Sequence, residues 1–378
     1  MKNKKNINLF EAFAISQHQA LKELYNVNVI ISEWYIDALI YSKYHLKIKK
    51  INKKFDRLKT IEKLSKYTFS NNSKTPLKNI NKLSNEKLNI LEQIVDLYEL
   101  DINKIKEFFI NKNVDIFTYS FPCQDISQQG KQKFQKELDT RSLLWQIERI
   151  LNEIKKIDKK SLPKVLVMEN VKALITKKFK SDLNSWIKEL NNLYITTKPF
   201  IINSSFFEAQ NRERVFMLSF LKIKNKINKI NEIIDNLSQD KINFELEKNK
   251  KVIADIFEKN MKHDILKLKK VNIKHNINKT NKIKKFLENY SSFNSENYFY
   301  YLDQSPTITS SGAQSRIKVF NGKNILFLNF EHLKLQFINK KVYQNLKDII
   351  SEQRIKFLAN SINIKVLKYI FSKIKDIF

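Results

Sequence analysis

Three short stretches of this chain hold residue types that do chemistry when they meet. The first is Pro122-Cys123-Gln124, which carries the only cysteine; the second is Glu169-Asn170-Val171; the third is Gln210-Asn211-Arg212-Glu213-Arg214. A cysteine attacks as its thiolate, and positive charge nearby favours that form. Two arginines in the third stretch can supply the charge. Arginines fixed near a reacting group also steady negative charge as it develops, and a carboxyl group can act as an acid or a base. Each stretch alone is weak. A lone cysteine is most often a small buried hydrophobe, and a carboxylate after a strand is most often a cap or a surface residue. Cys123, however, follows a proline and precedes polar Ser127, Gln128, Gln129 and then Gly130. That is the setting of an exposed, reactive thiol rather than a core one.

The elements that must position these residues can be read from periodicity. Val114, Ile116, Phe117 and Tyr119 form a short apolar run rich in β-branched and aromatic residues, which predicts a buried strand. Pro122 prevents its continuation as an interior strand. Residues 164–168, KVLVM, predict a further strand that ends at Glu169, and 214–221 predict another that starts at Arg214. Upstream, 7–13 and 27–32 read as strands and 17–25 and 34–44 as helices. This alternation opens a doubly wound, mostly parallel α/β sheet. Ligands and chemistry collect at the carboxyl edge of such sheets. Residues 141–157 and 179–193 read as helices, with Leu144, Ile147, Ile150, Leu151 and Ile154 at helical spacing in the former. Residues 194–203 read as a late strand. The stretch 46–99 is basic, helical and expected at the periphery. Residues 222–290 are dominated by Lys, Asn and Ile with no clear period, so a boundary is placed near 221.

Composition narrows the class. The chain has 378 residues and a net charge of +31, from 70 Lys and Arg against 39 Asp and Glu. Such an excess points to a polyanionic partner, nucleic acid first. One cysteine excludes an intramolecular disulfide and a cysteine-cluster metal site. No metal is expected. No apolar run is long enough to cross a membrane, and the N-terminus lacks an apolar signal core, so a cytoplasmic protein without a membrane partner is expected. Only 3 glycines occur, where the usual share of about 7% would give roughly 26.

The sequence resembles the cytosine-C5 DNA methyltransferases. FPCQDISQQG is similar to that family's nucleophile loop, VLVMENV to its glutamate motif, and QNRERVFML to its arginine motif. SPTITSSGAQSRIKV is similar to the segment that joins the recognition domain back to the core. The resemblance implies a class I methyltransferase (Rossmann-like) fold with a smaller DNA-recognition domain, and S-adenosylmethionine as methyl donor. It implies Cys123 as the thiolate that adds to C6 of cytosine and Glu169 as the acid at N3. Arg214 would lie at O2, with Arg212 close by. Phe13, Ala14, Glu33, Trp34, Asp101, Pro122, Asn360 and Ser361 would form the cofactor pocket, Glu33 on the ribose hydroxyls. Gln124, Ser127, Gln128, Gln129, Gly130, Gln210 and Arg316 would face double-stranded DNA holding a flipped-out base. The domains implied are a catalytic and cofactor-binding domain over 1–221, a target-recognition domain over 222–320, and a segment 321–378 whose last helix, about 352–378, packs back on the first. A monomer is expected, either in a restriction–modification system beside an endonuclease of the same site or as an orphan enzyme.

The chain departs from the family at one informative place. The first motif of the family reads Phe-x-Gly-x-Gly, whereas this chain has Phe13-Ala14-Ile15-Ser16-Gln17. It aligns best with both glycines deleted, and those glycines let the turn pass close to the cofactor. Ala359 also stands where a glycine usually precedes Asn-Ser. Two alternatives stay open from the sequence: methylation of cytosine in tRNA, and a non-catalytic DNA-binding homologue.

Overall fold

The structure is a computed structural model. It describes residues 4–12, 16–46, 54–72, 75–95, 113–120, 142–247, 264–266, 272–273, 290–292, 298–299, 307, 317–320, 325–328 and 361–378. By internal packing the chain divides into two units. The first comprises Met1–Ile202, Arg214–Ile242 and Leu367–Phe378; the second comprises Asn203–Glu213 and Asn243–Val366.

A seven-stranded sheet organises the first unit. Its strands are β1 (Asn6–Ala12), β2 (Asn26–Ser32), β3 (Ile116–Tyr119), β4 (Val165–Val171), β5 (Tyr194–Thr196), β6 (Phe200–Asn203) and β7 (Glu213–Leu221), in the order β2-β1-β3-β4-β7-β5 with β6 also on β7. The pairs β1–β2, β1–β3 and β3–β4 are parallel, while β7 runs antiparallel to β4 and β5. The chain leaves β1 for β2 on one side and returns to β3 on the other. A crevice therefore opens at the carboxyl ends of β1 and β3, where such sheets place their ligands.

The strands are apolar where the sheet is covered on both faces, as parallel strands must be. β3 is buried throughout, and so is β4 as far as Asn170. Phe10 on β1 meets Phe117 on β3 edge to face at 5.1 Å. Two helices close over them. The longer, α5 (Ser142–Ile157), inserts Leu144, Ile147, Ile150, Leu151 and Ile154; α6 (Lys180–Leu190) inserts Leu183, Trp186 and Leu190. Spacings of three and four put each set on one helical face. Trp186 Nε1 also donates to the Tyr119 hydroxyl at 3.0 Å, which satisfies both polar atoms inside the core.

Glycine scarcity leaves a mark just before β3. Asn113 has φ of 48°, in the left-handed region that glycine usually fills. Beside it, Asp115 takes the Lys164 ammonium at 2.6 Å and the Asn8 N–H at 2.9 Å, tying the amino ends of the strands together.

Between β1 and β3 lie α1 (Gln17–Leu21), α2 (Ile36–Leu46), α3 (Arg57–Leu64) and α4 (Asn85–Val95). The last two fall in the basic stretch expected at the periphery, yet Leu64, Leu88, Leu91 and Ile94 are completely buried. Lys87 reaches the buried Asp37 of α2 at 3.5 Å.

The segment after β7 differs from its sequence reading. It forms two helices, α7 (Ile227–Asn236) and α8 (Gln239–Leu246). Ile230, Ile233, Leu237, Ile242 and Leu246 are buried. Isoleucines at helical spacing are present there, but they sit among so many other Ile, Lys and Asn residues that the period was masked. The first unit thus continues past residue 221 to Ile242. It also takes in the end of the chain. The helix α9 (Ile364–Lys373) is followed by a short turn whose Lys375 carbonyl accepts the Tyr25 hydroxyl at 3.1 Å, and Phe378 meets the Tyr25 ring edge to face.

The second unit contains an antiparallel sheet ordered β10-β12-β13-β8, from Tyr290–Ser292, Ile317–Phe320, Ile325–Leu328 and Asp264–Leu266. A parallel pair joins β9 (Asn272–Ile273) to β11 (Tyr298–Phe299).

Candidate active site

Glu169 lies near the carboxyl end of β4 and is 6% exposed. The sequence places it there because four apolar residues, Val165 to Met168, carry the strand through the core before the first charge appears. Its two carboxylate oxygens are held separately. Oε2 accepts the Ser120 hydroxyl, and Oε1 lies 3.3 Å from Nε of Arg214. Ser120 directly follows β3, which pairs parallel to β4 with Tyr119 opposite Met168. Arg214 reaches Glu169 from the other side, through β7. The antiparallel register sets Val171 against Arg214 and Glu169 against Phe216, so the arginine is a diagonal neighbour on the same face. Three strands thus converge on one carboxyl group at the carboxyl edge of the parallel strands. Both side chains of the ion pair are largely buried, at 15% and 8% exposure. Charges removed from water interact strongly, and removing either one would leave the other costly.

Ser120 has no role in the sequence reading. The signal for it was its position, in the gap between the apolar run and Pro122-Cys123.

At the other end of the sheet, Glu33 follows β2. Its Oε1 accepts the backbone N–H groups of Trp34 and Tyr35 at 2.8 and 2.9 Å. Burial pushes its carboxyl from 4.5 up to about 7, against the pull of those two N–H groups. Oε2 carries neither bond and can accept from a hydroxyl. Trp34 is partly buried. Ser70 flanks this segment: its N–H donates to the Trp34 carbonyl at 2.8 Å and its carbonyl accepts the Ile36 N–H at 2.9 Å. A carboxylate oxygen beside an indole suits a ribose with its adenine, so the residues present fit the nucleoside half of S-adenosylmethionine.

In the second unit, Arg212 is 2% exposed and donates from a terminal guanidinium nitrogen to the Ser361 carbonyl at 3.1 Å. Its backbone N–H bonds the Asn203 side chain at 3.0 Å. Two residues that the sequence assigned to different tasks, Arg212 to the thiolate and Ser361 to the cofactor, are therefore in contact. Gln210, expected to face DNA, is fully buried. Cys123, Phe13, Ala14, Asp101, Pro122, Asn360, Gln124, Ser127, Gln128, Gln129, Gly130 and Arg316 lie outside the described residues. Among the described residues no group of His, Cys, Asp and Glu could hold a metal ion, and no helix is long and apolar enough to cross a membrane.

Comparison with known proteins supplies the fold and the family. The fission yeast S. pombe Dnmt2 methyltransferase superposes with a TM-score of 0.56 at 16% identity, covering 97% of both chains. A DNMT2 mutant from Spodoptera frugiperda gives 0.54 at 15% identity, covering 97% of this chain and 99% of that one. The fold is that of a class I methyltransferase. A family model for C-5 cytosine-specific DNA methylases matches residues 79–376. The orphan methyltransferase M.SssI of Spiroplasma monobiae is 37% identical over 98% of this chain and 97% of its own length. The type II methyltransferase M2.ScrFI of Lactococcus lactis subsp. cremoris is 41% identical over 129 residues, covering 33% of this chain and 32% of its own length. The chain belongs to the C-5 cytosine-specific DNA methylase family. As an enzyme it is a DNA cytosine-C5 methyltransferase, a class whose methyl donor is S-adenosylmethionine.

Proposed function

We propose that the protein methylates a cytosine flipped out of duplex DNA through a transient covalent bond between Cys123 and C6 of the ring. The observation that carries this reading is the Glu169 carboxyl, held between the Ser120 hydroxyl and Arg214 at the carboxyl edge of the sheet. Ser120, which ends the described stretch after β3, lies three positions before Cys123 in the sequence.

C5 of cytosine is a weak nucleophile on its own. When the Cys123 thiolate bonds to C6, the electrons of the C5–C6 double bond become available at C5, and negative charge spreads toward N3 and O2. Glu169, once protonated, supplies the proton at N3, and Arg214 donates to O2 while it orients Glu169. Fixed donors aimed at developing charge are usually the largest part of such catalysis. S-adenosylmethionine, when bound, supplies the electrophilic methyl group. After C5 has gained the methyl, loss of the C5 proton to solvent restores the double bond and expels the Cys123 thiolate, and N3 returns its proton to Glu169. Glu33 would hold the donor's ribose and Trp34 its adenine, with Phe13, Ala14, Asp101, Pro122, Asn360 and Ser361 completing that pocket.

The base must leave the duplex to reach a cysteine. Ser127, Gln128 and Gln129 are suited to fill the vacated space, with Gly130 as hinge. The stretch 222–320, most of it in the second unit, would read the target, with Lys and Arg on phosphates. Relatives matched over about a third of this chain are named type II methyltransferases, which favours work beside a restriction endonuclease that cuts the same site, whereas the relative matched over 98% of the chain is named an orphan methyltransferase.

Purified protein given labelled S-adenosylmethionine with either duplex DNA or tRNA should place label in 5-methylcytosine of DNA alone. Label confined to tRNA would overturn the DNA reading. Duplex DNA containing 5-fluorocytosine should trap the wild-type protein covalently and fail to trap Cys123→Ser; trapping by that variant would remove Cys123 as the nucleophile.

A further inference from the structure

The junction of β1 and α1 carries an unusual concentration of buried polar groups. Glu11, Ser16, Gln17, His18 and Gln19 are each at most 5% exposed. Glu11 sits on β1 between β2 and β3, opposite Ile31 on one side and Thr118 on the other, and is completely buried. Both of its oxygens are used. Oε1 accepts the backbone N–H of Gln17 at 2.6 Å, and Oε2 lies 2.8 Å from Nδ1 of His18. A carboxylate only accepts, so the imidazole is the donor. The Ser16 N–H bonds Oε1 of Gln17 at 3.0 Å, and the Gln19 amide donates to the Tyr41 hydroxyl at 2.5 Å.

This arrangement does a specific job. α1 is five residues long, too short to stand by its own hydrogen bonds. Its N-cap residue, Ser16, makes no side-chain cap bond. The carboxylate of Glu11 takes that place from the adjoining strand, and His18, the second residue of the helix, clamps the same carboxylate. The start of α1 is thereby tied at two points to the carboxyl end of β1. The family pattern places two glycines between these elements, and this chain has none there.

We infer that His18 is a positioning residue for the methyl donor: acting through Glu11, it fixes the β1–α1 junction against the donor pocket in a chain that lacks the usual glycines. The inference rests on the reading of this edge as the S-adenosylmethionine site. His18 does not touch the donor. It holds the start of α1 against the end of β1, and so governs how well the donor seats.

The test uses the full chain and S-adenosylhomocysteine as a stable probe of the donor site, titrated calorimetrically. His18→Leu should weaken probe binding on the order of 10-fold, the factor that loss of one buried hydrogen bond of ~1.4 kcal/mol gives. The KM for duplex DNA should stay unchanged. His18→Gln can still donate to Glu11 and should restore binding to within about 3-fold. Glu11→Gln keeps the volume and one acceptor but loses the charged partner, and should act in the same direction as His18→Leu; it keeps the test open if His18→Leu fails to fold. Unchanged probe affinity in a folded His18→Leu protein would overturn the inference. So would an equal rise in the donor and DNA constants with a lowered Tm, which marks a merely structural role. If the wild-type protein binds no probe, the donor-site reading fails and this inference falls with it. If the wild type binds and the variants bind equally well, only the positioning role fails.

Discussion

The two ends of the sheet in the first unit solve the same problem by different means. At the end where β3, β4 and β7 meet, one carboxyl group is fixed by a hydroxyl and an arginine that arrive from neighbouring strands. At the end formed by β1 and β2, the groups that would receive the donor are fixed by short-range backbone bonds and by a buried network around Glu11. The first end depends on strand register, which distant parts of the chain impose. The second depends on local turns, and glycine is usually the residue that makes such turns possible. In a chain with 3 glycines the first end needs none, and at the second the start of α1 is held by side-chain bonds from Glu11 and His18.

This contrast can be broken most sharply at Glu169. Glu169→Ala should lower kcat/KM for methyl transfer by roughly 10²–10⁴, the usual worth of a positioned acid. Binding of S-adenosylhomocysteine should change less than about 2-fold, because the role proposed for this carboxyl lies at the base end and the donor groups lie at the far end of the sheet. A matching loss of donor binding in titration calorimetry would show that the two ends are not separable. Arg214→Ala should cost about 10²–10³ in kcat, as for the loss of one charge-stabilising donor. It should also destabilise the fold, by about 3 kcal/mol, because Glu169 keeps its burial but loses its partner. Single-turnover rates with urea unfolding measure both effects, and Arg214→Lys should recover part of the stability but little of the rate.

At the donor end the effects are smaller and depend on pH. The Glu33 carboxyl is raised to about 7 in the folded chain from an ordinary 4.5, so the folded state keeps a proton that the unfolded chain has already released. The stability this group contributes is fully present below pH 4.5, declines as pH rises toward about 7, and levels off above that. The decline should be about 3 kcal/mol and should vanish in Glu33→Gln. Donor binding should move the other way and tighten as pH rises through about 7, because the ionised carboxylate accepts ribose hydroxyls best. Urea titrations and probe binding from pH 5 to 8 read the two trends. Ser120→Ala should have the mildest effect, slowing methyl transfer by about 5- to 10-fold through the loss of one hydrogen bond to Glu169.

Much of this site was legible in the sequence because its elements announce themselves by period. β3 and β4 are unbroken apolar runs that end abruptly in polar residues, and the residues at those ends are the ones that converge. What the sequence hid has three separate causes. Ser120 is a common residue type whose role depends on the hydroxyl reaching a neighbouring strand, and no local pattern encodes that reach. The contact between Arg212 and the Ser361 carbonyl joins positions far apart in the chain, so spacing gives no hint of it. The helices at Ile227–Asn236 and Gln239–Leu246 were concealed by composition, since isoleucine occurs so often there that its helical spacing does not stand out. His18 would also be passed over, because a histidine early in a helix is unremarkable until the carboxylate on the preceding strand is known to face it.

The antiparallel entry of β7 has a consequence for how this chain can change by insertion and deletion. Arg214 meets Glu169 because Val171 stands opposite Arg214 and Glu169 opposite Phe216. Side chains on a strand alternate between faces, so a slip of one residue would turn Arg214 to the far side of the sheet. Substitutions in β7 can accumulate slowly, each at its own small cost. A single-codon deletion between Arg214 and the strand's last residue would instead turn the arginine away from Glu169 in one step, even though both residues would still be encoded.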